Sequence, residues 1–169
     1  MSRYEGNDII DSRDIIKEIK ELEEQKENLE EEINNLEDRI EELEYEIQEA
    51  REDEFEYRDM TDEKNELEDC KNELDNLTEE LREVTSELDP LIGLEDEASS
   101  SPDWSYGETL IKDEYFEEYA QNLVKDIGDL PQDLPWYIES NIDWAGVADA
   151  IQQDYISVDF NGDTYWIRG

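Results

Sequence analysis

Nearly every side chain in this sequence that could donate, accept or ligate is a carboxylate. The 169 residues include 54 Asp and Glu against 14 Lys and Arg, no histidine and one cysteine, for a formal charge of −40. A general acid needs an apolar setting that raises its pKa, and most of these acids fall on the polar faces of helical patterns. The commonest general base and metal ligand is missing with histidine. Cys70 stands alone, which excludes an intrachain disulfide framework or a CxxC zinc site; with nothing nearby to lower its pKa, it reads as packing. Asp159-Phe-Asn-Gly-Asp163 has the oxygens of a calcium loop but neither the twelve-residue spacing nor the closing glutamate, and reads as a turn. Trp104, Trp136, Trp144 and Trp166 could stack on bases. The region that holds them has only three basic residues, Lys112, Lys125 and Arg168, so they are assigned to a core. No enzyme, cofactor or metal is expected. Direct nucleic-acid binding is excluded because a polyanion repels a polyanion.

The elements that carry these acids follow from periodicity. Ile15, Leu22, Leu29, Leu36, Leu43 and Ala50 occupy heptad position d. Ile19, Ile33, Ile40 and Ile47 occupy a, with Lys26 at the remaining a. A 3.5-residue seam over about five heptads predicts a coiled coil. β-branched a with Leu at d favours two parallel strands, and a buried lysine would fix register. Asp11 or Ser12 is the expected cap. The pattern falters over residues 51–60, where Glu54 and Tyr57 fall on the seam. It resumes, one residue out of phase, as Leu67, Cys70, Leu74, Leu77, Leu81, Val84 and Leu88. Either one long rod carries a distortion over residues 55–60, or the chain reverses there into a helical hairpin. The hairpin is slightly favoured, with Asp59 or Thr61 capping its second helix. Pro90 and Gly93 are expected to end the helical region.

Residues 93–107, rich in Ser and Asp, read as linker. Beyond them Phe116, Tyr119, Ala120, Leu123, Val124 and Ile127 form a helical stripe ending at Gly128. LPQDLPW is a proline-bounded connection. Asp143 caps a short helix carrying Trp144, Val147, Ala148 and Ile151. YISVDF, Asn161-Gly162 and DTYWIR then read as a β-hairpin on a type I′ turn. The predicted fold class is mainly α: a long acidic coiled coil over residues 11–90, as hairpin or rod, then a linker over 91–108. A small α+β module of two helices and a β-hairpin over 109–169 completes it.

Residues 1–89 carry 36 acidic against 11 basic side chains, and residues 90–169 carry 18 against 3. Coiled coils usually mix signs at e and g. Here the flanks are mostly acidic, with Glu18, Glu32 and Glu46 at g and Glu23, Glu30, Glu37 and Glu44 at e. In a parallel pair only Arg39 with Glu44 and Glu46 with Arg51 would attract. Glu18 would face Glu23, and Glu32 would face Glu37. Each such contact costs a few tenths of a kcal/mol. A two-helix rod of this sequence carries about one net negative charge per 2.3 Å, against ≈1.7 Å for duplex DNA. Glu30, Glu31, Glu37, Glu41 and Glu44 are therefore expected to meet a cationic partner.

The run from Asp113 to Gly169 resembles the last domain of ArdA-type antirestriction proteins. The likeness lies in Tyr119-Ala120, Gly128-Asp129-Leu130, Leu134 with Tyr137-Ile138, Ile142-Asp143 before an aromatic, and Asp154-Tyr155. It extends to Gly162 and residues 165–168, and covers about a third of the chain. These are acidic, dimeric DNA mimics of phages and mobile elements that block type I restriction enzymes; an acidic coiled coil stands here where the family has its preceding domains. The resemblance implies a host restriction or CRISPR-type nuclease, or another DNA-handling defence protein, as partner. It also implies a homodimer in the bacterial cytoplasm, with Asp113, Glu114, Glu117, Glu118, Asp126, Asp129, Asp143, Asp149 and Asp154 as phosphate imitators. No membrane contact is expected, since no apolar run approaches ~18 residues and no cleavable leader is legible. The alternative is a coiled-coil adaptor that binds a protein through its C-terminal module.

Overall fold

The computed structural model describes residues 3, 4, 6–52 and 59–169. The elements run β1 (Ile9–Asp11), α1 (Ser12–Glu52), α2 (Thr61–Ala98), α3 (Trp104–Gly107), β2 (Thr109–Lys112), a 3-10 turn (Asp113–Tyr115), α4 (Phe116–Asp126), α5 (Trp136–Glu139), α6 (Trp144–Gln152), β3 (Tyr155–Phe160) and β4 (Asp163–Arg168). They form two compact units. One comprises residues 20–88; the other joins residues 1–19 to 89–169.

Within residues 20–88 the two long helices lie side by side in opposite directions. Gln25 donates to Glu80 at 3.5 Å, and both Nε and Nη2 of Arg39 donate to Glu66, at 2.9 and 2.7 Å. Lys71 donates to Glu44 at 2.6 Å. As the residue number rises along α1 from 25 to 39, its partner in α2 falls from 80 to 66. Of the two forms expected, the slightly favoured hairpin is the one observed, and the parallel pairing that β-branched a positions favour is corrected to an antiparallel one within the chain. The connection is too short to return α2 to the start of α1, and reversal brings g against g and e against e. That register gives Arg39 and Lys71 opposite-charge partners across the helices. Leu22, Leu29, Leu43, Ile47, Val84 and Leu88 are buried on the seam, together with Met60 at the start of α2. Ile33, Leu36, Ile40, Leu67, Cys70, Leu74, Leu77 and Leu81 are half-buried, as two helices alone would leave them. The Lys26 side chain keeps 38% of its surface and sits 3.9 Å from Glu30. Glu54, Phe55 and Tyr57, where the pattern falters, lie outside the described residues.

Pro90 and Gly93 do not end the second helix. It continues to Ala98, although proline offers no N–H to the Ser86 carbonyl. The compensation is burial: Leu91, Leu94 and Ala98, three and four residues apart, all lie inside the second unit. Residues 91–108 are thus helical up to Ala98 and again over α3, instead of a linker.

The β-hairpin expected at the C-terminus is half of a four-stranded antiparallel sheet of order β1-β2-β4-β3. Val158 faces Tyr165 and Phe160 faces Asp163 across β3 and β4. Asn161 and Gly162 join these strands with φ of 54° and 87°, the pair of positive values a type I′ turn requires. Ile111 on β2 faces Trp166, and β1 adds on through Ile9↔Ile111 and Ile10↔Leu110. One sheet face carries Ile111 and Trp166 and packs on Phe116 and Ala120 of α4 and Ala148 of α6. The other carries Ile10, Leu110, Val158, Phe160, Tyr165 and Ile167, all buried. The same unit buries Tyr4, Ile15, Ile19, Leu91, Leu94, Ala98 and Trp104, none of which belongs to the first cluster.

Ser12, fully buried, ties the start of α1 to this unit. Its hydroxyl donates to the Trp104 carbonyl at 2.7 Å and accepts from Glu108 N–H at 2.7 Å. Capping passes to Asp11, whose carboxylate accepts from Arg13 N–H at 2.9 Å. The Arg13 guanidinium also holds the Asp11 carboxyl below the usual carboxylate range. Asp143 caps α6 by accepting from Gly146 N–H at 3.1 Å.

Candidate functional site

Helix geometry sets the carboxylates of α1 in rows. Glu23, Glu30, Glu37 and Glu44 recur every seven residues, a rise of about 10.5 Å each, with Glu41 between the last two. Glu31 is the outward neighbour of Glu30. All six are exposed. Lys26 approaches Glu30 at 3.9 Å and Lys71 binds Glu44 at 2.6 Å. Glu31, Glu37 and Glu41 have no ion pair among the described residues.

Four of the eight cations of this unit, Lys26, Arg39, Lys71 and Arg82, are already paired with carboxylates. Arg39 serves Glu66 and Glu42, and those contacts hold its guanidinium pKa above the ordinary value. Arg82 is fastened to Glu79 on its own helix at 2.7 Å, which lowers the Glu79 pKa. Residues 20–88 hold 30 acids against 8 bases, a net of −22. Residues 20–52 rise about 50 Å as a helix, so the antiparallel pair keeps the density of about one net charge per 2.3 Å of axis. Such a surface attracts cationic groups over a Debye length or more and pairs with Lys and Arg on contact.

The carboxylates of the second unit are also exposed, but the fold spreads them over several elements. Asp113 and Glu114 lie in the 3-10 turn, Glu117 and Glu118 in the first turn of α4, and Asp126 and Asp129 about its end. Asp143 and Asp149 belong to α6, and Asp154 to its exit. Three of them have structural work: Asp113 accepts from Trp166 Nε1 at 2.7 Å, Asp143 is the α6 cap, and Asp126 accepts from Gln132 at 3.3 Å. No group of three or more potential metal ligands is gathered among the described residues.

The assignment of all four tryptophans to the core is corrected here. Trp104 is buried and Trp144 and Trp166 are half-buried, but Trp136 is 78% exposed. Its neighbours Tyr137 and Ile138 are exposed too, and so is Ile127, expected on the buried stripe of α4. The stripe stops short because Gly128 turns the chain at φ 85° and Leu130 N–H bonds back to the Val124 carbonyl. The two prolines of LPQDLPW were the visible sign that this segment leaves the packed layers.

No known protein family, curated protein or solved structure matches this chain. Among the described residues no helix is long and apolar enough to cross a membrane.

Proposed function

We propose that the protein is a non-enzymatic anti-defence inhibitor of a phage or mobile element. It acts as an acidic DNA mimic, filling the nucleic-acid site of a host restriction or CRISPR-type nuclease with an antiparallel coiled coil. The observation that carries this reading is the uncompensated carboxylate ridge through Glu31, Glu37 and Glu41. It stands on a helix pair in which four of the eight cations are already paired with carboxylates and whose charge density approaches that of a duplex. Helix pairing does not require such charge, since the seam is apolar and like charges on the flanks weaken it. A Lys/Arg-lined channel built for phosphates gains from it. The ArdA-like C-terminal residues support the same assignment.

The test is capture of partners from a bacterial lysate on the full chain, with elution by a salt gradient, followed by DNA competition on the captured nuclease. If the ridge replaces six to ten phosphate contacts, affinity falls by about 10³–10⁵ between about 50 and 200 mM salt. Replacing Glu30, Glu31, Glu37 and Glu41 with Gln should abolish inhibition and leave the helical content intact. Affinity that stays flat with salt, or inhibition that survives the four substitutions, overturns the mimicry. The exposed Trp136 and Tyr137 favour one other reading, a coiled-coil adaptor that grips a protein partner through the C-terminal module. That protein would ignore the Gln substitutions.

A further inference from the structure

Residues 127–138 hold four large apolar side chains in water: Ile127 is 61% exposed, Trp136 78%, Tyr137 59% and Ile138 45%. Trp136, Tyr137 and Ile138 are consecutive, and soluble surfaces seldom expose such a run without a use. The segment is fixed in place. Pro135 starts α5, and its carbonyl accepts from Ile138 and Glu139 N–H. Asn141 Nδ2 donates to the Tyr137 carbonyl at 2.9 Å. Glu139 binds Lys125 of α4 at 2.7 Å, and Gln132 Nε2 reaches the Lys125 carbonyl at 3.2 Å. The Trp136 and Tyr137 rings meet edge to face with centroids 6.0 Å apart. Preorganised aromatic side chains lose little entropy when a partner covers them, the usual property of an interface hot spot.

Charge selects the occupant. Asp126, Asp129 and Asp133 are exposed in the same stretch. The nearby cation, Lys125, is committed to Glu139 and lies 5.9 Å from the Trp144 ring. We infer that the α4–α5 segment around Trp136 and Tyr137 is a docking site for a basic segment of another protein, one that carries an apolar anchor flanked by Lys or Arg. Anionic lipid and nucleic acid are repelled by this rim, and a second copy of the chain brings the same negative charge. This surface excludes the carboxylate ridge, so it does not depend on the mimicry reading.

The test uses the full chain and two synthetic peptides of equal lysine content. One has leucines at helical i, i+3 and i+4 spacing; the other has serine in place of each leucine. The Leu/Lys peptide should bind about tenfold tighter than the Lys/Ser peptide. It should also shift Trp136 emission to shorter wavelength, a change absent in Trp136→Phe. Trp136→Ala and Tyr137→Ala should each reduce that advantage while leaving the circular dichroism and the Lys/Ser affinity unchanged. The inference falls if the two peptides bind alike or if the advantage survives in Trp136→Ala. It also falls if the free chain self-associates in sedimentation through Trp136. Loss of the advantage in the Gln variant of Glu30, Glu31, Glu37 and Glu41 would overturn it as well, while leaving the mimicry reading standing.

Discussion

Glu73→Lys should stabilise the helix pair, and the register says by how much. Gln25 meets Glu80 and Arg39 meets Glu66. Seven residues on from Gln25 and seven back from Glu80 set Glu32 opposite Glu73, two carboxylates on facing flanks. A like-charged flank pair costs a few tenths of a kcal/mol, and an exposed opposite-charge pair returns about as much. The substitution should therefore add about 0.5–1 kcal/mol, or about 1–4 °C in Tm for a chain of this size. The assay is thermal unfolding by far-UV circular dichroism at low and high salt. The gain should be largest near 0.01 M, where the Debye length is about 30 Å, and vanish near 1 M, where it is about 3 Å. Arg39→Glu should shift Tm the opposite way under the same conditions. In a parallel dimer residue 73 would face the e position, Thr78, of the partner helix. Glu73→Lys would then gain only the Asp69 pair four residues back on its own helix. An Asp69→Asn background removes that gain while leaving the Glu32 pair of the antiparallel register. A neutral or destabilising Glu73→Lys at low salt, or a gain that high salt leaves intact, refutes the antiparallel register.

Four further outcomes are expected. Leu43→Ala, at a fully buried seam position, should cost about 2–5 kcal/mol in urea unfolding. Gly162→Ala places a Cβ at φ 87° and should cost about 1–2 kcal/mol, read from the same denaturant curves. Cys70 is half-buried on the seam, where antiparallel pairing within one chain gives it no in-register partner cysteine. Mild oxidation should therefore leave the protein without a disulfide-linked dimer on non-reducing gels. Asp59 accepts from the Thr61 hydroxyl at 2.6 Å and its N–H at 3.1 Å, which holds its carboxyl below the usual range. Its contribution is thus complete above the unfolded carboxylate range and lost as pH falls through the lowered folded value. Asp59→Ala should be less stable than the parent at neutral pH and converge with it in acid.

What the sequence revealed was local. The seam, the Asp143 cap, the positive-φ Gly128 and the Asn161-Gly162 turn each depend on residues within a few positions of one another. The failures lie where distant residues decide. α2 passes Pro90 because Leu91, Leu94 and Ala98 find a core supplied partly by the other end of the chain. Strands β1 and β2 are three and four residues long, too short for alternation to register, and exist only because Ile10 finds Leu110. Heptad lettering marked the seam of each helix but not its direction. Direction emerged only with the Gln25–Glu80 and Arg39–Glu66 contacts, whose partner numbers fall as the α1 number rises. For the candidate surfaces, the exposure of Glu30, Glu31, Glu37, Glu41 and Glu44 was legible because heptad flanks must face water. The exposure of Trp136 was not: composition counts aromatics without saying which side of a turn they occupy.

β1 and β2 are hydrogen-bonded neighbours, yet the whole of α1 and α2 separates them in sequence. The helix pair is thus an insertion between adjacent strands, and its length is free to vary without rethreading the sheet. Deleting residues 30–36 together with residues 74–80 removes one heptad from each helix, preserves both seams and shortens the pair by about 10.5 Å. Matched additions lengthen it by the same step. The length of the helix pair is therefore quantised in whole heptads, a step set by its own seam and not by the sheet it interrupts.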